Sequence, residues 1–259
     1  MATDRVDELT DVLHRLTSDE DRAKVRQEAE DLLRTITPQE LSLAEQRLIE
    51  SGTEPEELRH LCDVHLRVLS DEVASFRTEL AKGHPVDTLM AEHEVILEAL
   101  AELEGLNKAV QQADGLGEEQ AEKLEHIATH LVEAELHHQR EEDALFPELE
   151  QRGVTGPPRM MRIEHEKLRE RKHALMELAE KAETIPFEEL QWRLNGLTTY
   201  LVFNLRDHIF KEDNILYPAA VEVVTDPAVW ERVKLDCDEI GYCCFTPTEE
   251  TKAEAVPTH

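Results

Sequence analysis

Aromatic residues make up only 4% of this 259-residue chain, and glycine occurs nine times. Strands favour aromatic and β-branched side chains, so this scarcity argues for long helices over sheets. Apolar runs are short as well. None approaches the roughly 18–20 residues that a membrane span needs, and Met1-Ala2-Thr3-Asp4-Arg5 begins no signal peptide. The four cysteines, at 62, 237, 243 and 244, show no disulfide framework, which points to a reducing cytoplasm. Bases are few, 28 against 58 acids, and the net charge is −30. A surface this acidic repels phosphates, so nucleic acid is not expected as a partner, and the short apolar runs give no reason to expect a membrane. It fits a protein suited to high salt, where screening reduces self-repulsion.

What is present is 40% hydrophobic, enough for a core, and it is spaced helically. Residues 1–82 read as a small helical module. Leu9, Val12, Leu13 and Leu16 recur at helical intervals, Thr37-Pro38-Gln39-Glu40 starts another helix, and Leu58, Leu61, Leu66 and Leu69 continue the pattern. Cys62 and His65 share a face there, but two ligands do not complete a zinc site. Gly83-His84-Pro85 breaks the helix and marks a linker, with His84 expected in solvent. Four long amphipathic helices follow, over about 86–113, 118–151, 159–183 and 187–221. Asp226-Pro227 starts a short last helix. The expected fold is all-α: a module at 1–82, an up-down four-helix bundle at 86–222, and a C-terminal helix and tail at 223–259.

Two stretches in the bundle echo each other. One runs from His137-His138 through Glu141-Glu142 to Phe146-Pro147, and the other from His208 through Glu212-Asp213 to Tyr217-Pro218. Helical residues four apart share a face, so each stretch can aim an imidazole and a carboxylate at one point. Glu92-His93-Glu94 precedes the first stretch and Glu164-His165-Glu166 the second. His93 and His165 are 72 residues apart, and His138 and His208 are 70 apart. This is an internal repeat of one helix pair, with a His on each of four helices.

On the second helix two rules disagree. The stripe of Leu124, Ile127, Leu131 and Ala134, extended at 100° per residue, centres on His138 and Glu142. Counting back ten residues from the proline, as from Pro218 to His208, selects His137 instead. The stripe favours His138. Glu135 is near the same face, and His126, His130 and His137 form a separate stripe on the flank. After His208 the carboxylate is Glu212 or Asp213; the four-residue spacing keeps one face and favours Glu212. Imidazole with carboxylate and no thiolate suits iron, manganese or zinc. The economical arrangement is two metals bridged by Glu142 and Glu212, each with about two imidazoles, inside a bundle. Open positions would remain for water, oxygen, peroxide or nitric oxide.

With these motifs, residues 86–222 resemble a hemerythrin-like, HHE cation-binding domain. The N-terminal module resembles domain of unknown function 438 through Ile36–Leu41, Glu45–Ile49 and Leu61–His65. The first resemblance implies two iron ions (Fe2+ or Fe3+), oxo- or hydroxo-bridged. The ligands it implies are His93, His138 with Glu142, His165, and His208 with Glu212. The oxygen-carrying members have a second His one turn after the third-helix His, where this chain has Arg169. Reversible oxygen storage is therefore less expected than sensing of oxygen, nitric oxide or iron, and Arg169 could hold an anionic ligand by charge. The expectation is a cytoplasmic sensor or binding protein with residues 1–82 relaying to a protein partner. The alternatives are an iron-dependent peroxidase or nitric-oxide-handling enzyme, and a metal-free helical scaffold. No base or nucleophile beside the ligands argues for turnover.

Overall fold

The computed structural model describes residues 10–12, Arg15 and 80–242. The N-terminal module, apart from residues 10–12, Arg15 and 80–82, lies outside the described residues. So do its Cys62–His65 pair and the Cys243-Cys244 tail. The fold is all-α, and among the described residues there is no strand.

The linker works as a helix start. Gly83 takes φ +81, a left-handed conformation that a side chain disfavours. His84 then sits in extended geometry, and its Nδ1 accepts a hydrogen bond from the Val86 amide at 3.2 Å. Pro85 fills the first helical position, where a missing N–H costs nothing. His84 is thus a half-buried cap and not the solvent-exposed residue expected.

Helix α1 runs Pro85–Gln111, α2 Glu118–Glu133, α3 Glu135–Arg140, α4 Phe146–Glu150, α5 Gly156–Glu180, α6 Phe187–Lys211, α7 Tyr217–Val223 and α8 Pro227–Ile240. Between α3 and α4 the chain makes a π-turn, Glu141–Leu145, and between α6 and α7 another, Glu212–Leu216. The two expected long rods therefore exist, but each widens ahead of a proline. Pro147 and Pro218 have no N–H to donate, and their rings would strike the carbonyl four residues back in a regular helix. A wider turn relieves that clash, and such π-turns gather at functional sites.

The described residues divide into two compact units. One takes in 82–141, 163–209 and 233–242 and holds most of the four bundle helices. Its core is a cluster in which Leu100, Leu103, Leu124, Leu131, Leu175, Leu178, Leu194 and Leu201 are fully buried. Each such leucine contributes about 1.5–3 kcal/mol by leaving water. The other unit takes in 142–162 and 210–232 together with the described residues before 82. In it the Arg162 guanidinium lies over the buried Phe146 ring at 5.1 Å and pairs with Glu150. Trp230 Nε1 donates to Val224 O at 2.8 Å, tying the start of α8 to the end of α7.

Candidate metal centre

The bundle unit contains polar side chains that water does not reach. Glu92, His93, His137, His138, Arg140, Glu141, Glu164, His165 and His208 are all buried. A buried polar group is costly unless it is bonded, so its partners explain it. The partners repeat. His137 Nδ1 meets Glu92 Oε2 at 2.7 Å, and its Nε2 meets His93 Nε2 at 3.1 Å. His208 Nδ1 meets Glu164 Oε2 at 2.9 Å, and its Nε2 meets His165 Nε2 at 3.0 Å.

A carboxylate can only accept, so Nδ1 of His137 and of His208 donates to it, and Nε2 is the nitrogen that faces the other imidazole. Burial opposes the charge on Glu92, but the hydrogen bonds and charges of His137 and Arg140 outweigh it and hold the carboxyl at about 2. Arg140 Nη2 donates to both Glu92 oxygens, at 2.9 and 2.7 Å. The Tyr242 ring lies 4.7 Å from the Arg140 guanidinium carbon.

Between the two imidazole pairs stands Glu141. Its Oε2 lies 3.6 Å from His137 Nε2 and 3.5 Å from His165 Nε2, one from each pair. Two donors about 2.1 Å from one cation and at right angles to each other are about 3 Å apart. The Nε2–Nε2 separations match that spacing. His138 adds a fifth ring, stacked on His165 with centroids 4.0 Å apart and planes 8° from parallel. Nitrogens of His138, His165 and His208 lie within 4.8 Å of one another. Burial, then the positive potential of His165 and Lys172, keeps His138 well below the usual imidazole range, so it is neutral.

A profile of the hemerythrin HHE cation binding domain matches residues 84–220, more than half of the chain. The chain belongs to the hemerythrin HHE cation-binding family. A family of unknown function, DUF438, matches residues 9–75. No curated protein matches the chain.

The hemerythrin HHE bundle is thus a metal-binding helical domain, and its buried imidazole–carboxylate groups suit a metal ion. His93, His165 and His208 come together with both His137 and His138. His137 is the one gripped by a carboxylate in the way His208 is, as the proline register indicated. Glu141, not Glu142, is the carboxylate of that rod which faces the imidazoles; Glu142 is half-buried. Extending the 100° stripe to residue 142 failed for two reasons. The helix is interrupted at Ala134, and the π-turn begins at Glu141. Glu212 is fully buried and Asp213 only half-buried.

Glu135 belongs to a different set. Its carboxylate pairs with the buried Lys172 ammonium and accepts from Arg169 Nε at 2.7 Å. The Arg169 guanidinium is thereby engaged by Glu135, which speaks against its holding an anion at the centre. The His126 and His130 rings meet tilted by 52° with centroids 4.1 Å apart, while His137 leaves their stripe for the interior. Glu92, Glu164, Arg140 and Glu141 had no assigned role in the sequence. The doubled Glu-His-Glu motif was the available signal for the first two, and the proline register for Glu141.

Proposed function

We propose that the hemerythrin HHE bundle of this protein holds two iron ions and acts as a cytoplasmic sensor or binder of oxygen, nitric oxide or iron. The observation that carries the reading is Glu141 Oε2, placed almost equally, at 3.6 and 3.5 Å, from an imidazole of each repeat. A carboxylate so placed would help to hold two cations. His93 and His137 would hold one, and His165 and His208 would hold the other. Glu212 is buried four residues beyond His208, as Glu141 is buried four beyond His137. Iron in these positions would supply a Lewis acid with a reversible one-electron couple.

The protein's own residues do the rest. Glu92 and Glu164 hold the Nδ1 protons of His137 and His208, which fixes the rings and raises the basicity of Nε2. Arg140 keeps Glu92 charged. The leucine core beside the centre excludes water. A diatomic ligand that binds more tightly to one packing of the helices than to another would shift their balance, and only that difference in affinity could drive a response. Residues 1–82 would carry the response to a protein partner.

Aerobic purification, an iron count per chain and a visible spectrum test this. About two irons per chain with ligand-to-iron charge-transfer bands supports it. A colourless protein that takes up no iron returns the Nε2–Nε2 contacts to plain hydrogen bonds within a metal-free scaffold.

A further inference from the structure

Helix α6 turns one face into the leucine core and leaves another in water. Glu189, Trp192, Gly196, Thr199, Phe203 and Arg206 are all exposed, and they follow one another at alternating steps of three and four residues. Such steps draw a single stripe along a helix, with the spacing by which two helices pack as a coiled coil. Trp192 is 78% exposed and Phe203 68%, in a chain with only two Trp and six Phe. Large apolar rings gathered on one exposed stripe mark an interaction surface. Gly196 between them has no positive φ that would call for a glycine, and a Cβ there would meet nothing within 4 Å among the described residues. A glycine in mid-helix weakens the helix. What it allows is the close approach of another backbone.

The stripe is palindromic about the point between Leu197 and Thr198: acid, ring, small, small, ring, base. Laid antiparallel on a second copy, it sets Glu189 opposite Arg206, Trp192 opposite Phe203, and Gly196 opposite Thr199, each pair occurring twice. A parallel pairing would set Glu189 against Glu189 and Arg206 against Arg206, which charge disfavours. Within the chain Glu189 meets Arg193 at 3.5 Å and Arg206 meets Glu104 at 3.2 Å, and the Glu189 and Arg206 side chains remain 49% and 43% exposed. Both therefore have room for a further partner. We infer that this face of α6 joins two copies of the chain, antiparallel, in a two-fold dimer. The inference is independent of the metal reading. The stripe spans about 25 Å of helix, which places the interface near the roughly 1,000 Å2 at which specific association begins. A micromolar dimer is the expected strength.

Sedimentation of the full chain as purified tests this, in about 0.15 M salt, where a screening length of about 8 Å damps the repulsion between two acidic chains but spares contact pairs. The wild type is expected to pass from monomer to dimer in the micromolar range. Glu189→Arg and Arg206→Glu each set like charges opposite one another at both ends of the stripe, and each is expected to weaken the dimer roughly tenfold or more. Mixed in equal amounts, the two variants present opposite charges at both ends, and the mixture is expected to dimerise again to within about threefold of the wild type. Restoration on mixing cannot come from a folding defect in either chain. Gly196→Leu blocks the close approach and is expected to abolish the dimer with unchanged circular dichroism. A wild type still monomeric at about 100 µM overturns the inference. So does a dimer that neither charge variant weakens, which assigns the contact to another surface, and so does a mixture that stays monomeric.

Discussion

Glu92 and His137, far apart in the chain, meet at 2.7 Å in the interior, and the contact fixes which nitrogen of the imidazole faces the centre. Glu164 and His208 do the same in the second half at 2.9 Å. Each glutamate comes from the residue just before a histidine that points inward, so one Glu-His dipeptide supplies both a donor and the support for its partner.

Removing that support should loosen the metal. Glu92→Gln and Glu164→Gln each keep the side chain's shape but lose its charge. Each is expected to lower metal affinity by about 10–100-fold while leaving the helix content unchanged. Competition with a chelator, alongside circular dichroism, measures this. Unchanged affinity in both variants would remove the positioning role assigned to the glutamates.

The Glu92 carboxyl also sets a pH dependence. Its value in the folded protein is depressed to about 2, below that of an unfolded chain. A depressed carboxyl stabilises the fold above its unfolded value of about 4.3 and loses that contribution as pH falls toward the folded value. Metal-free wild type and Glu92→Gln should therefore differ most in urea denaturation at neutral pH, with the gap closing between about pH 4.3 and pH 2. A gap that widens on acidification contradicts the assignment.

Packing and metal binding should separate. Leu124 is fully buried in the core and lies about 20 Å along the helical rod from His137. Leu124→Ala is expected to cost about 2–5 kcal/mol and to lower Tm by roughly 5–15 °C. The metal content per folded chain should stay the same. A variant that keeps its Tm but loses its metal would argue against this separation.

The architecture was legible in the sequence because apolar residues at helical spacing and a scarcity of glycine and aromatics leave few alternatives. The burial of three imidazoles was equally legible: His93, His165 and His208 lie on rods regular enough for counting. Legibility failed where the helix stops being regular. At 134 and 141 the second rod changes its turn, so the 100° rule transferred to Glu142 a direction that belongs to Glu141. The prolines cause the widening, and for the same reason they were the better ruler. Six residues before Pro147 is Glu141, and six before Pro218 is Glu212. Arg140 could not be read at all, because its partner Glu92 is brought to it only by the fold.

The net charge of −30 carries its own expectation. Self-repulsion among excess carboxylates weakens as the screening length falls from about 10 Å at 0.1 M to about 3 Å at 1 M salt. The metal-free protein should melt at a higher temperature in molar salt than in dilute buffer. Equal melting temperatures would rule out a salt-dependent fold.

Anomalous diffraction at the iron edge from crystals of iron-loaded protein bears most directly on the centre. Two peaks about 3.5–4 Å apart, one beside His93 and His137 and one beside His165 and His208, with Glu141 between them, are the expected result. A single peak, or iron bound away from Glu141, contradicts the two-metal centre.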